Sequence, residues 1–243
     1  IMLYLIKYNI IFTMSDDIIL IGIDVELSGD SIKKNGIVEL SCCAYSLKKR
    51  NQIDTISMPI NLPIGHEFSE NSLKYFWNNE NIIGYEKLQN LKELIIKNEG
   101  RDPGYSMNKF VQWLKHIFIN HANSNINNIQ IIVDTVSVDC YWINTYIEKY
   151  TSELPLHLIF GSFKDVIDTH SYTLGLCRIS YEELSKEDLS SEDKFFRKKF
   201  TINETPSVKH DHYSLNDAIY MIEEHLLQIK CFTNKEKTNI INL

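Results

Sequence analysis

The chain has 243 residues and a net charge of −7, from 25 Lys and Arg against 32 Asp and Glu; 44% of it is hydrophobic and 23% charged. That apolar content excludes disorder over most of the chain and suffices for a core needing no disulfide or structural metal. The acidity argues against a protein that binds polyanions by surface charge alone, but not against one that meets phosphates through ions held by carboxylates.

The run from Ile1 to Met14 is apolar but interrupted by Lys7, Tyr8 and Asn9. It is too short and broken for a membrane span, and it has no small-residue cleavage site. Met14 is the expected initiator, and residues 1–16 are read as an N-terminal extension. From Asp17 to Asp24 an apolar run ends in an acid, which predicts a buried strand. Ser28-Gly29-Asp30 is turn chemistry. Gly36 to Leu47 predicts a second strand, Lys48 to Gln52 a polar turn, and Ile53 to Ile60 a third strand closed by Pro59 and Pro63. Three strands with short turns predict an antiparallel meander.

The period then changes. Ser72–Trp77, Tyr85–Lys97 and Ser106–His121 have helical spacing; in the last, Phe110, Trp113, Leu114, Ile117 and Phe118 share a face. Ile129–Val133 predicts a strand, Cys140–Tyr150 a helix, Leu156–Phe160 a strand and Asp168–Cys177 a short helix. Tyr181–Phe200 is dense in charge without an apolar stripe. Ser214–Lys230 predicts a strong helix, and residues 231–243 a polar, frayed tail. There is no internal repeat and no linker. The expectation is one α/β domain over residues 17–230: a three-strand antiparallel meander, then parallel strands, flanked by helices.

Cys42, Cys43, Cys140, Cys177 and Cys231 are an odd number without CxxC spacing. They argue against a disulfide framework and a cysteine-based zinc site. They predict reduced thiols in a cytoplasmic setting, or the host cytoplasm if the chain is viral.

Three acidic clusters carry the chemistry. Asp24 and Glu26 are two apart at the end of the first strand, so their side chains point the same way. Two like charges so placed repel unless cations neutralise them, and oxygen ligands suit Mg2+ or Mn2+; the plain alternative is a solvated strand end. Asp139 opens a helix, where an acid also complements the helix dipole. In His212-Tyr213-Ser214-Leu215-Asn216-Asp217-Ala218, Ser214 can cap the helix with Asp217 three residues on. Otherwise Asp217 is a metal ligand and His212 a general base, whose ordinary pKa lies near working pH.

The order of these clusters resembles the DEDD 3′–5′ exonucleases of the ribonuclease-H-like superfamily, the group of proofreading exonucleases, oligoribonuclease and ribonuclease T. Asp24-Val25-Glu26-Leu27-Ser28-Gly29 is similar to the first motif, DxETTG, and Ile37-Val38-Glu39-Leu40 to the I-I-E-I of the next strand. Ile131–Ile143 is similar to the second motif, which ends on Asp139, and His212–Ala218 to the third, HxALxDA. The match spans residues 17 to 230. Asp134-Thr135 stand where the family often has His-Asn, and Val138 where it often has Phe, which bears on substrate preference. Both branches of the family are represented, His212 for one and Tyr213 for the other; Leu215 and Ala218 fit the His branch, and His212 is favoured.

The resemblance implies a ribonuclease-H-like mixed sheet. It implies hydrolysis of single-stranded DNA or RNA from its 3′ end to nucleoside 5′-monophosphates. Asp24, Glu26, Asp139 and Asp217 would hold two divalent cations, Mg2+ or Mn2+, with Asp24 bridging them, and His212 would act as base. Leu27, Ser28 and Trp77 are the expected substrate contacts, with Phe76-Trp77 offering stacking surface; core packing is the alternative for these aromatics. Lys194, Arg197, Lys198 and Lys199 are candidate phosphate contacts or a solvated face. Asp168-Thr169 resembles a recurring Asp-Thr pair with a supporting role. His210 lies at the wrong spacing from Asp217 for the motif. Oligomeric state is not legible in the sequence; several relatives are dimers, which offers a homodimer by analogy only, and no membrane partner is expected. Two rival readings remain: a catalytically silent nucleic-acid-binding module of this fold, and an unrelated scaffold whose acids are caps and strand ends.

Overall fold

A computed structural model describes residues 17–153, 166–169, 172 and 204–241, with side chains described to residue 230. The N-terminal extension, the expected strand at 156–160, the charged segment 181–200 and its four basic residues lie outside the described residues.

The strands are β1 (Ile19–Leu27), β2 (Ile37–Ser46), β3 (Asn51–Pro59), β4 (Ile129–Val133) and β5 (Val166–Asp168). They form one sheet in the order β3-β2-β1-β4-β5. The β1–β2 and β2–β3 pairs are antiparallel, and β1–β4 and β4–β5 are parallel. The meander followed by parallel strands is therefore observed. β1 runs three residues past the expected end, so Asp24 and Glu26 lie inside the sheet. Asp168, expected to open a helix, ends β5 instead; Thr169 and Tyr172 are helical, and the rest of the expected helix to Cys177 lies outside the described residues.

The helices are α1 (Glu70–Ser72), which widens into a π-helical turn at Leu73–Trp77, α2 (Tyr85–Ile96), α3 (Pro103–Asn120), α4 (Asp139–Tyr150) and α5 (Ser214–Ile241). α3 starts where its sequence dictates: Asp102 accepts the Tyr105 N–H at 2.9 Å, and Pro103 occupies the first turn. α5 continues to Ile241, so the backbone of the expected frayed tail is largely helical.

Alternation along β1 divides the core. Ile19, Ile21, Ile23 and Val25 join the cluster with Phe110, Leu114 and Ile117 of α3 and Ile143 and Ile147 of α4. Leu20 faces the other way, onto Ala218, Met221 and Ile222 of α5. Residues of even number on β1 thus face α5, and Asp24 and Glu26 are among them. A third cluster packs Val38 against Trp77, Leu88 and Ile95. Cys42, Cys43 and Cys140 are buried free thiols. Among the described residues no helix is long and apolar enough to cross a membrane.

Candidate active site

α5 reaches Asp24 and Glu26 because β1 carries no side chain at Gly22. A Cβ there would lie 2.3 Å from the Ala218 carbonyl oxygen. Its absence lets the first turn of α5 settle on the strand and delivers Asp217 to the acids. Carboxylate oxygens of Asp24, Glu26 and Asp217 lie within 4.8 Å of one another. Asp139 enters from the β4–α4 connection, where its Oδ2 accepts the Thr135 N–H at 3.0 Å. Three segments distant in sequence therefore converge.

The convergence is electrostatically costly. Glu26, Asp139 and Asp217 are buried, and Asp24 Oδ2 is shielded with no hydrogen-bond partner. Burial, then the charges of Glu26, Asp139, Asp217 and Asp134, hold the Asp24 carboxyl well above the usual range. Burial and the neighbouring acids, Asp217 first, do the same to Glu26. Burial pushes Asp139 up to about 7, and Asp217 up to about 6 despite the opposing His210 charge. All-oxygen donors with an orphaned buried oxygen suit a hard divalent cation, which would relieve this repulsion.

Hydrogen bonds hold the connection that carries Asp139. Asp168 Oδ2 accepts the Val136 N–H at 3.1 Å, and Thr169 Oγ1 donates to Asp134 Oδ1 at 3.2 Å. The Asp168-Thr169 pair thus steadies the approach of Asp139 without joining the acid cluster. Val138 and Tyr141, flanking Asp139 on either side, are exposed.

The histidine loop is built differently. His212 is half-buried and adopts φ 54°, a left-handed conformation that non-glycine residues seldom take. Its ring meets Phe76 edge-on at 5.2 Å and lies 5.1 Å from the ring of His210. Burial, then His210, lowers its pKa, with Asp211 and Asp134 opposing. The loop is tied down at Asp211. Its carboxylate accepts from Lys87 Nζ at 2.9 Å, Tyr213 N at 3.3 Å and Asn216 Nδ2 at 3.1 Å, while its N–H donates to Asp217 Oδ1 at 3.0 Å. Gly84, at φ +85°, permits this seat, because a Cβ there would stand 1.9 Å from the Asp211 carbonyl oxygen. Tyr213 lies beneath Lys87 Nζ, 4.6 Å from its ring centre.

Three expectations need correction. Trp77 is fully buried, with its Nε1–H donating to the Leu27 carbonyl at 3.1 Å and its ring edge-on to Phe68 and Phe76. It cannot stack on a base; it braces Leu27 on one side and, through Phe76, His212 on the other. Ser28 is equally buried: its hydroxyl donates to the Glu67 carbonyl and accepts the Gly36 N–H, and its backbone carbonyl accepts from Ser69 and Ser72. With these groups engaged, Ser28 shapes the turn after β1 and its side chain does not face substrate. Leu27 remains partly exposed. The Ser214 hydroxyl does not cap α5; it contacts Ser41 Oγ at 2.6 Å on the sheet.

Two residues of the site were not assigned a role from sequence. Glu39 lies opposite Glu26 in the β1–β2 register, buried and with Oε2 unpartnered. Burial raises its pKa, and hydrogen bonds from Ser214 lower it. The I-V-E-L match pointed to this residue, but only strand register places it beside Glu26. His210 Nε2 lies 3.4 Å from Asp217 Oδ2, a contact that motif spacing argued against.

No family model and no curated relative matches the sequence. The fold is shared with solved structures. A full-length 3′-exonuclease superposes with a TM-score of 0.56 at 12% identity, over 89% of this chain and 84% of that one. Cell-death related nuclease 4 (CRN-4) superposes with a TM-score of 0.54 at 14% identity, over 86% of this chain; the chain spans 62% of that protein's length. The architecture is thus the ribonuclease-H-like fold of exonuclease structures.

Proposed function

We propose that the protein is a metal-dependent 3′–5′ exonuclease acting on single-stranded nucleic acid and releasing nucleoside 5′-monophosphates. The observation that carries this reading is the meeting of Asp24, Glu26 and Asp217, with Asp139 beside them, at one end of a sheet shared with a solved 3′-exonuclease.

In this reading the four acids hold two divalent ions, Mg2+ or Mn2+. When bound, such ions stabilise the attacking and leaving oxygens of an in-line phosphoryl displacement. The remaining work falls to the protein. A His212 pKa below the ordinary value keeps the imidazole neutral near pH 7, able to take the proton of the attacking water. The Asp211 clamp and Phe76 hold that ring at the cluster's edge. Leu27, partly exposed after the two strand acids, is the proposed contact for the 3′-terminal nucleotide. Close packing of α5 over Gly22 fixes the distance between Asp217 and the strand acids. Cations also reconcile an overall charge of −7 with a polyanionic substrate.

The test uses 3′- and 5′-labelled single-stranded RNA and DNA oligonucleotides with Mg2+ or Mn2+. A ladder shortened from the 3′ end, abolished by EDTA and by Asp24→Ala, is expected. A folded wild-type chain that leaves every oligonucleotide intact would sink the proposal.

A further inference from the structure

We propose that His210, His212 and Asp217 form a second metal site, selective for Zn2+ or a similar borderline cation, which shares Asp217 with the carboxylate cluster and switches the cluster off when filled. Ligand atoms of the three residues lie within 4.8 Å of one another, as do those of Asp24, Glu26 and Asp217. The two sets overlap at Asp217 alone.

The donors of the two sets differ in kind. Asp24, Glu26 and Asp217 offer only oxygen, the preference of Mg2+, whereas two imidazole nitrogens with one carboxylate suit Zn2+. Two His and one carboxylate, with a fourth position left for water, is a donor set that open tetrahedral zinc sites use. Geometry supports the assignment. With metal–ligand bonds of about 2.0–2.1 Å, neighbouring ligands of a tetrahedron lie about 3.3–3.5 Å apart. His210 Nε2 and Asp217 Oδ2 are already 3.4 Å apart. A ring nitrogen of His212 lies within 4.8 Å of both other ligand atoms, and its ring centre is 5.1 Å from that of His210. The His210 side chain is 49% exposed while that of Asp217 is 3% exposed, so an ion enters from solvent over His210 and meets a buried anchor.

The consequence follows from shared ligands and rests on the proposed function. An ion held here occupies the nitrogen of His212 that would take a proton, and engages the Asp217 carboxylate that the acid cluster shares. Zn2+ is then an inhibitor of Mg2+-supported cleavage rather than a substitute cofactor.

Co2+, whose visible absorption reports four-coordinate nitrogen and oxygen ligation, tests the site in the full chain without Mg2+. One four-coordinate Co2+ per chain, read from that absorption, is expected, displaced by Zn2+. Binding should weaken at least about 10-fold in His210→Ala and persist in Glu26→Gln. His210→Asn, at the same half-exposed position, replaces His210→Ala if the latter fails to fold. Absence of Co2+ uptake, uptake indifferent to His210, or uptake lost in Glu26→Gln overturns the site. This readout is independent of cleavage: Co2+ binding of the expected kind by a chain that cuts no oligonucleotide keeps the site and overturns the exonuclease reading. Mg2+-supported cleavage that is insensitive to excess Zn2+ overturns the switch.

Discussion

Asp24, Glu26 and Asp217 stand on a nine-residue strand and the first turn of a long helix, pressed together over Gly22. His210 and His212 stand on a loop, one half-exposed and the other in a left-handed conformation, held through Asp211, Lys87 and Phe76. The first region stores unfavourable charge in rigid elements that cannot move apart to relieve it. The second carries a left-handed backbone at His212, held in place by side-chain contacts rather than by a sheet or helix. On the proposed reading the metal ligands stand on rigid elements and the proton acceptor on a loop held by side chains, so damage to the two regions should have different signatures.

The largest effect is expected from Asp24→Asn. Cleavage should fall about 10³-fold or more, because several kcal/mol of charge stabilisation by the ions is lost. Metal-free stability should move the other way. Asp139 and Asp217 titrate at about 7 and about 6 in the fold, against an ordinary 3.8. Between these values the native state binds more protons than the unfolded chain, so their stabilising contribution is present at low pH and is lost as pH rises from about 4 to about 7. Thermal unfolding of the metal-free protein should therefore show a falling Tm over that range. Asp24→Asn should flatten the fall, and Mg2+ should reverse it in wild type only. A Tm that rises with pH in metal-free wild type would contradict the buried cluster.

His212→Ala is expected to lower kcat by about 10²–10⁴-fold while leaving Mn2+ binding by the carboxylates intact, as read by electron paramagnetic resonance. Tyr213→Phe should change kcat by less than about 10-fold, since the Tyr213 ring lies under Lys87 and a small change is what a residue outside the proton transfer would show. Equal losses in both variants would break the assignment of the base.

The two glycines separate the regions directly. Gly22→Ala must push α5 off β1, costing about 1–3 kcal/mol and weakening Mn2+ binding. Gly84→Ala must displace Asp211 and the histidine loop, lowering kcat by up to about 10²-fold with Mn2+ affinity kept. A loss of Mn2+ affinity in both would show that loop and cluster move as one body. The smallest effect belongs to Lys87→Met: the Lys87 side chain is half in solvent and Asp211 keeps its other hydrogen bonds, so stability should change by about 1 kcal/mol in a urea melt.

Much of this molecule could be read along the chain. Continuous apolar runs place β1 and β4, and period-3.6 spacing places α3, within a few residues, because an element buried on both faces is apolar throughout and one buried on a single face is apolar at its own repeat. Parity alone puts Asp24 and Glu26 on one side of β1. The spacing of His212, Asp217 and Ala218, with Asp139 after β4, carried the resemblance to exonucleases. What spacing cannot report is which other element covers a face. Trp77 reads equally well as a stacking surface or as core, and only the packing of Phe68, Phe76 and the Leu27 carbonyl around it decides for core. Ser28 is consumed by Glu67 and Gly36, and Ser214 turns to Ser41 across 173 positions of chain instead of capping its own helix. Lys87 finds Asp211 across 124 positions, and His210 reaches Asp217 because the intervening loop doubles back at φ 54°. Local patterns record what each residue must turn away from water; the partners it meets there depend on how distant segments close over one another, and that was decided only in three dimensions.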